Sequence, residues 1–324
     1  MNGNQRPETC DWTDLHGILV IDKPANISSA RVVAVVKKAL NAGKAGHAGT
    51  LDPFAEGVLI CCVNQATRLA GFLLHGTKKY VAELKLGQET DTQDLTGTVV
   101  SNAKAVDYSP QAIQAVFKSF KGTIAQLPPV YSALKHKGVP LYKLARRGQP
   151  VQKPPRQVQI YDICVHDIDL PYVRFEVSCS AGTYIRTLGA DIGRTLGCGG
   201  HLSALKRIES SGFTLDQAIS LSTLEELTNS RKVSSKMISM RDALPDVPEF
   251  CADERLVEKI RHGQKLTIKD LTGSNGTGRA RQAGDYLKII NREQGLIAIL
   301  EQNPTGDRMT YYCVFPKKLQ THYL

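Results

Sequence analysis

Residues 46–53 form a glycine-containing loop that places Asp52 directly before Pro53. Glycines let the backbone approach a ligand closely, and the proline fixes the turn that follows the carboxylate. A carboxylate held rigidly on a loop could act in catalysis. It could equally cap the turn, as aspartate before proline often does. The loop alone does not decide between these two interpretations.

A second candidate segment, residues 178–186, has the pattern of a strand that ends in a glycine turn and opens a helix. Such an opening presents free N–H groups to an anion. Arg186 would lie in the first helical turn, where a cation is unfavourable with the helix dipole unless a carboxylate or phosphate compensates it. Arg186 could form a surface salt bridge, or it could hold a catalytic aspartate ionised and oriented.

The basic residues are unevenly distributed along the chain, whose formal net charge is +10. Between Tyr108 and Tyr161 there is no Asp or Glu, whereas the same stretch holds nine Lys and Arg residues. A block of one sign repels itself unless a polyanion faces it. This pattern favours RNA or DNA as the partner over a merely solvated basic loop.

Several other classes of protein are disfavoured. The chain has no apolar run near the roughly 18 residues of a membrane span and no apolar signal-peptide core, which predicts a cytoplasmic protein with no membrane partner. Cys198 and His201 form a local Cys/His pair, and two ligands do not make a zinc site. Lys38 stands where a Walker loop ending at Gly43-Lys44 would need glycine. We therefore expect no metal and no cofactor.

Strand-like and helix-like runs are mixed without regular βαβ spacing, which predicts an α+β fold. The best strand signal is the alternation of apolar residues over residues 78–87. The expected order is strand 17–21, helix 29–40, glycine-rich loop 41–49, strand 57–63, helix 66–74, strand 78–87, helix 110–120, irregular basic insertion 121–156, paired strands 158–169 and 173–179, and helix 184–196.

The pattern of residues along the sequence changes after about residue 245. A short helical segment at 253–261 and a glycine-rich loop near 273–278 precede three strand-like runs, 286–291, 296–300 and 311–315. This pattern predicts a small, mostly β domain. The expected organisation is an N-terminal tail at 1–15, a catalytic domain at 16–245 and the C-terminal domain at 246–324.

Motifs in order from about residue 16 to 213 closely resemble those of TruB-type tRNA pseudouridine synthases. The longest is GHAGTLDPFAEGVL at residues 46–59. The others include His16-Gly17, Asp22-Lys23-Pro24, Thr90-Asp91-Thr92, PPVYSALK at 128–135, Tyr184-Ile185-Arg186 and GCGGHL at 197–202.

The resemblance implies a fold with a mixed, largely antiparallel sheet, flanking helices and a C-terminal PUA-like RNA-binding domain. The implied reaction is isomerisation of uridine 55 in the T loop of tRNA. The enzyme would break the N1–C1′ bond, turn the base and rejoin it through C5. Such a reaction requires no cofactor and no metal. The implied partner is the T arm of tRNA, bound by a monomer.

The resemblance also implies roles for individual residues. Asp52 would be the essential carboxylate, either attacking C1′ or taking a proton from C2′. Tyr80 would stack on the base, Arg186 would pair with Asp52, and Leu205 would line the pocket. His47 would enter the RNA loop after the target base is extruded. The basic insertion would grip RNA phosphates, with the candidate contacts Lys135, Lys137, Lys143, Arg146 and Arg147.

Three alternatives remain at this point. One is a guide-RNA-dependent relative within a ribonucleoprotein, and another is a non-catalytic protein that binds or folds tRNA. The third is a glycoside hydrolase that uses Asp52 and Glu56 as its carboxylate pair. The TruB-type interpretation makes a specific geometric prediction. Asp52 should lie within ion-pair reach of Arg186, at the floor of a cleft that Tyr80 lines and the basic insertion overhangs.

Overall fold

The computed structural model describes residues 15–103, 106–271, 286–302 and 308–315. Its strands are β1 Gly17–Lys23, β2 Ala45–His47, β3 Glu56–Val63, β4 Lys78–Leu86, β5 Gln88–Thr90, β6 Val99–Asn102, β7 Gly122–Gln126, β8 Lys135–His136, β9 Val139–Pro140, β10 Arg156–Asp169, β11 Tyr172–Cys179, β12 Gly200–Ser210, β13 Phe213–Thr214, β14 Glu249–Cys251, β15 Leu266–Thr267, β16 Tyr286–Ile290, β17 Leu296–Gln302 and β18 Arg308–Val314. Its α-helices are α1 Ser29–Ala39, α2 Ala70–His75, α3 Pro110–Ser119, α4 Leu141–Ala145, α5 Ile185–Leu196, α6 Leu221–Asn229 and α7 Glu254–Arg261. Short 3-10 helices cover Asn64–Leu69, Leu215–Gln217, Val233–Lys236 and Ile268–Leu271.

One large sheet organises most of the chain, in the strand order β1-β3-β12-β4-β11-β10-β7. Its neighbouring strands pair antiparallel, except that β12 pairs parallel with β3. The predicted α+β class with a mixed, largely antiparallel sheet is therefore confirmed. α5 packs against β12, and α3 packs against β10, so these helices flank the sheet.

Local sequence signals account for the main elements. The side chain of Ser28 accepts a hydrogen bond from the backbone N–H of Arg31, which caps the start of α1. In β4, Tyr80, Ala82 and Leu84 are buried, as the alternating pattern predicts. β4 lies between β12 and β11. The central strand of the sheet therefore carries one of the candidate site residues.

The C-terminal part of the chain forms a small, mostly β unit, as predicted. Its sheet has the strand order β14-β16-β17-β18-β15, and α7 follows the first of these strands. Leu296 and Phe315 of this unit pack with Ile18 and Leu69 in one apolar cluster, so the unit rests on the large domain. The predicted loop at 273–278 and nearly all of the predicted N-terminal tail lie outside the described residues.

Two predicted boundaries are wrong. The expected loop 41–49 contains β2, which pairs antiparallel with β3. The expected irregular insertion 121–156 is too wide at both ends, because β7 pairs with the first five residues of β10 at the edge of the sheet. Both are edge elements whose pairing comes from tertiary contacts, and their sequences carry little apolar alternation. The segment between β7 and β10 is residues 127–155, with the β8–β9 hairpin and α4 inside it.

The predicted helix 66–74 is also divided in two. The 3-10 helix Asn64–Leu69 leads into α2, so the chain changes its helical type midway. In the described parts of the chain, no helix is long and apolar enough to cross a membrane.

Candidate active site

Asp52 and Arg186 form an ion pair across 134 residues of sequence. Nε of Arg186 donates to Oδ2 of Asp52 at 2.7 Å, and Nη2 donates to Oδ1 at 3.4 Å. The Arg186 side chain is 3% exposed, whereas that of Asp52 is 31% exposed. The predicted proximity of the two groups is therefore confirmed. The carboxylate faces the solvent side of the pair, and the guanidinium lies behind it.

Arg186 is fixed from its other side by groups that sequence analysis did not single out. Nη1 donates to the carbonyl of Thr92 at 2.6 Å and lies 3.3 Å from Oδ2 of the buried Asp94. Nη2 donates to the carbonyl of Tyr131 at 2.9 Å. Asp94 also accepts from the backbone and hydroxyl of Thr96, at 2.9 Å and 2.6 Å. Arg186 thus bridges two carboxylates, in a geometry that its neighbours fix.

The backbone on both sides of Asp52 is held by side chains from the start of the chain. The hydroxyl of Ser29 accepts from the N–H of Leu51 and donates to the carbonyl of Leu51, each at 2.9 Å. Nζ of Lys23 donates to the carbonyl of Pro53 at 3.1 Å. These bonds position the Asp52 carboxylate without touching it, and they hold its loop in one conformation.

Lys23 gives the folded state a testable pH dependence. Burial lowers the pKa of its ammonium group from 10.5 to about 8, while Asp52 and Glu56 act in the opposite direction. Between these two pKa values the unfolded chain binds more protons than the folded chain. The contribution of Lys23 to stability should therefore rise with pH across this window, by at most about 3 kcal/mol.

Denaturant unfolding of the wild type and Lys23→Met at several pH values between about 7.5 and 10 measures this contribution. The free energy of unfolding of the wild type, measured relative to that of the variant, should increase as the pH rises. Lys78, whose pKa burial also lowers to about 8, is present in both proteins and cancels in the comparison. Parallel pH profiles for the two proteins would show that Lys23 does not titrate in this range.

Tyr80 lies beside the buried Arg207, which was not among the predicted site residues. Tyr80 is opposite Arg207 in the β4–β12 register. Arg207 donates from Nε to the carbonyl of Val58 at 2.7 Å and from Nη2 to the carbonyl of Gly49 at 3.0 Å. Burial raises the pKa of the Tyr80 hydroxyl, and the nearby Arg207 partly offsets this shift. The hydroxyl is therefore neutral at physiological pH and can donate a hydrogen bond.

Asp52, Tyr80 and Leu205 line one cleft with a volume of about 480 Å³. Ala133 and Leu134, from the segment between β7 and β10, line the same cleft. The structure thus brings together three of the predicted site residues under the segment that was expected to overhang them. The other residues of the lining are Gly49, Thr50, Leu51, Leu74, His75, Lys78, Arg156, Ser180, Ala181, Gly182, Thr183, Tyr184, Ile185 and Arg207.

The five predicted RNA contacts of the basic segment do not line the cleft. All five are exposed, and none makes an ion pair within the parts of the chain that the structure describes. Arg146 lies over the ring of Tyr142, with its Cζ 5.7 Å from the ring centroid. The segment therefore presents free positive charge beside the cleft, from Lys135, Lys137, Lys143, Arg146 and Arg147.

His47 and Glu56 lie near Asp52 in sequence but outside the lining of the cleft. His47 is half-buried on β2, and within the described residues its buried Nδ1 has no hydrogen-bond partner. Burial, with a contribution from Arg207, lowers the pKa of His47, which favours the neutral ring. Glu56 is exposed and lines a neighbouring groove. A glycosidase pair of Asp52 and Glu56 would have to face one cleft, so this placement argues against that alternative.

The residues that the structure describes contain no cluster of possible metal ligands. In residues 15–103, 106–271, 286–302 and 308–315, no group of three or more His, Cys, Asp or Glu could hold a metal ion. Apart from Asp52, the charged residues that line the cleft are Lys78, Arg156 and Arg207. The chemistry that these side chains can supply is a fixed carboxylate, neutral proton donors and positive charge for an anionic substrate.

Solved structures with a similar fold include one described as "Crystal Structure of a Cbf5-Nop10-Gar1 Complex". It has a TM-score of 0.73 at 28% identity, and the match covers 97% of this chain and 89% of that chain. Another is described as "Structure of H/ACA RNP bound to a substrate RNA containing 2'-deoxyuridine". Its TM-score is 0.71 at 28% identity, with 95% of this chain and 87% of that chain covered.

Two family models match consecutive parts of the sequence. One, for the TruB family pseudouridylate synthase N-terminal domain, matches residues 37–185. The other, for the tRNA pseudouridylate synthase B C-terminal domain, matches residues 186–246. The boundary between the matches falls directly before Arg186, within α5, so the ion-pair partners belong to different models. Fold and site together define an enzyme of the pseudouridine synthase class.

Curated relatives are similar in sequence to this chain over most of its length. A tRNA pseudouridine synthase B from Geobacter sulfurreducens is 43% identical over 292 residues, which are 90% of this chain and 95% of the relative. One from Francisella tularensis subsp. novicida is 44% identical over 283 residues, 87% of this chain and 93% of the relative. The chain belongs to the TruB family of pseudouridylate synthases.

Proposed function

We propose that this enzyme converts uridine 55 in the T loop of tRNA to pseudouridine. The observation that carries the proposal is the Asp52–Arg186 ion pair at a cleft that Tyr80 and Leu205 line. The relatives named tRNA pseudouridine synthase B, similar over nearly their whole length, support tRNA as the substrate. The T arm is the part of tRNA that the family resemblance implies.

Asp52 is proposed as the catalytic carboxylate. When the N1–C1′ bond of the target uridine breaks, C1′ gains positive character, which a fixed carboxylate can stabilise or attack. Arg186 is the positioning residue, because its two bonds to Asp52 fix the direction of the carboxylate. Removal of a proton from C2′ by the same carboxylate is a second route with the same geometry.

Tyr80 and Leu205 are proposed to hold the base while it turns. C5 must lose its proton after it bonds to C1′, and N1 must gain one, so the reaction is an isomerisation with no net change of atoms. The neutral Tyr80 hydroxyl can take part in that proton transfer, and its ring offers a stacking face. Leu205 supplies an apolar wall of the cleft.

The target base must leave its stack before it can enter the cleft. His47 is proposed to occupy the vacated place in the RNA loop, since it lies on the strand that leads into the Asp52 loop. A neutral imidazole, which its lowered pKa favours, is suited to stacking between bases. With His47 inserted in this way, the Asp52 loop would lie in direct contact with the RNA loop.

Domain organisation and assembly follow from the same proposal. Residues 16–245 would form the catalytic domain, and residues 246–324 a PUA-like domain that binds RNA beside it. The five-stranded sheet of the C-terminal unit and its packing against the large domain support this division. The protein is proposed to act as a monomer on one tRNA.

The basic segment is proposed to bind backbone phosphates of the T arm, through Lys135, Lys137, Lys143, Arg146 and Arg147. The variant Lys135→Gln with Arg146→Gln should bind tRNA more weakly. The slope of log affinity against log salt should flatten by about 0.7–0.9 for each lost phosphate contact. Filter binding or fluorescence anisotropy over a series of salt concentrations measures that slope.

Lys232→Gln with Lys236→Gln is a matched control with the same change of charge. Both lysines are exposed beside the strand β1, at the opposite edge of the sheet from β7. The control should keep the wild-type affinity and salt slope. If the Lys135/Arg146 variant also keeps the wild-type slope, the basic segment does not contact the RNA backbone.

A guide-RNA-dependent enzyme within a ribonucleoprotein is the second candidate function, favoured by the structural similarity to the H/ACA RNP bound to a substrate RNA. The sequence relatives, at 43% and 44% identity, favour the stand-alone enzyme instead. Incubation of an unmodified tRNA transcript with the purified protein alone separates the two. Pseudouridine forms without any guide if the enzyme is stand-alone, and requires added guide RNA and partner proteins if it is not.

A further inference from the structure

Arg156 is a positive charge on the wall of the same cleft that Asp52 and Tyr80 line. Its Nε is buried and has no hydrogen-bond partner among the residues that the structure describes. Across the described portions of the chain, its guanidinium makes no hydrogen bond and no ion pair. A partly buried cation without a counter-charge is unfavourable. Such a group beside a substrate cleft indicates that an anionic part of the substrate completes its environment.

The Arg156 guanidinium is held between a ring and a glycine. Its Cζ lies 4.7 Å from the centroid of the Tyr184 ring, which is a favourable cation–π distance. On another side, a Cβ added to Gly182 would lie 3.4 Å from Cζ and 3.5 Å from both Nη atoms. Gly182 also has a φ of +87°, which disfavours other residues there. The guanidinium is therefore packed closely between the Tyr184 ring and Gly182.

The surroundings of Arg156 belong to one rigid frame. Arg156 begins β10 and pairs in register with Gln126, the last residue of β7. The fully buried Gln126 amide donates to the carbonyl of Tyr184 at 3.0 Å and accepts from its N–H at 2.7 Å. The hydroxyl of Ser180 accepts from the N–H of Gln159 at 3.0 Å. These bonds tie the loop that carries the ring to the strand that carries the cation.

We propose that Arg156 binds the backbone phosphate of the flipped uridine nucleotide and so positions its ribose at Asp52. This inference rests on the proposed function, because only a nucleotide substrate brings a phosphate into the cleft. A guanidinium matches a phosphate through two parallel N–H donors. Arg156 differs from the exposed cations of the basic segment, because its side chain is pre-oriented within the cleft and lies beside the reacting nucleotide.

The test combines Arg156→Gln with RNA that carries a neutral methylphosphonate at one phosphate, either 5′ or 3′ of the target uridine, in a T-arm stem-loop. With unmodified RNA, the variant should lose about 10- to 100-fold in the single-turnover rate constant divided by the dissociation constant. One of the two methylphosphonates should lower the same ratio by a similar factor for the wild type. It should leave the ratio for Arg156→Gln almost unchanged. Arg156→Lys should recover part of the loss, because it keeps the charge without the planar fork.

Each outcome has a distinct meaning. If the wild type makes no pseudouridine in the unmodified RNA, the proposed function is wrong. If the wild type is active and Arg156→Gln is equally active, or if both methylphosphonates slow the variant as much as the wild type, the Arg156 inference is wrong. Lys232→Gln should match the wild type with all three RNAs, and equal melting temperatures for wild type and Arg156→Gln would exclude a loss of folding.

Discussion

Replacing Asp52 by asparagine should abolish pseudouridine formation while tRNA affinity stays within about threefold of wild type. The amide has nearly the same shape but cannot attack or stabilise a developing positive charge at C1′, so the rate should fall by more than about 10³-fold. Affinity should persist because the exposed basic residues that are proposed to bind RNA phosphates lie outside the cleft. Quantitative pseudouridine assays and tRNA binding, on the same protein preparations, measure the two effects.

Glu56→Gln is the matched control for this substitution. Glu56 is an exposed carboxylate only four residues from Asp52, but it lines the neighbouring groove. The control should keep wild-type activity. Substantial activity in Asp52→Asn would contradict the catalytic assignment. Activity lost equally in both variants would point to a general electrostatic effect rather than to one catalytic carboxylate.

Replacing Arg186 by methionine should cost both activity and stability. The 3% exposed guanidinium compensates Asp52 and the buried Asp94, so its removal leaves both carboxylates without their ion-pair partner. Breaking a buried pair of this kind destabilises a protein by about 3–5 kcal/mol. Activity should fall at least about 100-fold, because the orientation of the Asp52 carboxylate is lost. Denaturant unfolding and single-turnover assays measure the two losses.

A second substitution distinguishes charge compensation from general damage to the packing. Adding Asp94→Asn to Arg186→Met removes one of the two uncompensated charges. The double variant should therefore regain part of the lost stability, which makes the two substitutions non-additive. It should not regain activity, because Asp52 still lacks its positioning partner. Wild-type stability in Arg186→Met alone would contradict the account of this ion pair.

Local sequence patterns predicted the fold where the pattern and the tertiary environment agree. The alternation in β4 predicted both the strand and the buried face that carries Tyr80, and the predicted helix 29–40 agrees closely with α1. The α+β class followed from the mixture of such elements. β2 and β7 were missed because they are short edge strands, and their positions depend on pairing with β3 and β10.

The candidate site, like the fold, could be predicted from the sequence only where a local pattern marks it. The loop of Asp52 and the helix start at Arg186 each have a local signal, but their pairing required the family resemblance or the structure. Asp94, Arg207 and Arg156 were not singled out as site residues, because each becomes a candidate only through partners distant in sequence. A buried arginine or aspartate looks like an exposed one until its neighbours are known. For Asp94, the nearby threonines that bond to it were the one available local signal.

The most direct test of the proposed reaction is the mapping of pseudouridine in an unmodified tRNA transcript after incubation with the purified protein alone. Chemical labelling with primer extension or mass spectrometry would locate the product. We predict pseudouridine at uridine 55 of the T loop, absent when Asp52→Asn replaces the wild type. Pseudouridine at another position, or none without added guide RNA, would contradict the assignment of this chain as a stand-alone tRNA pseudouridine-55 synthase.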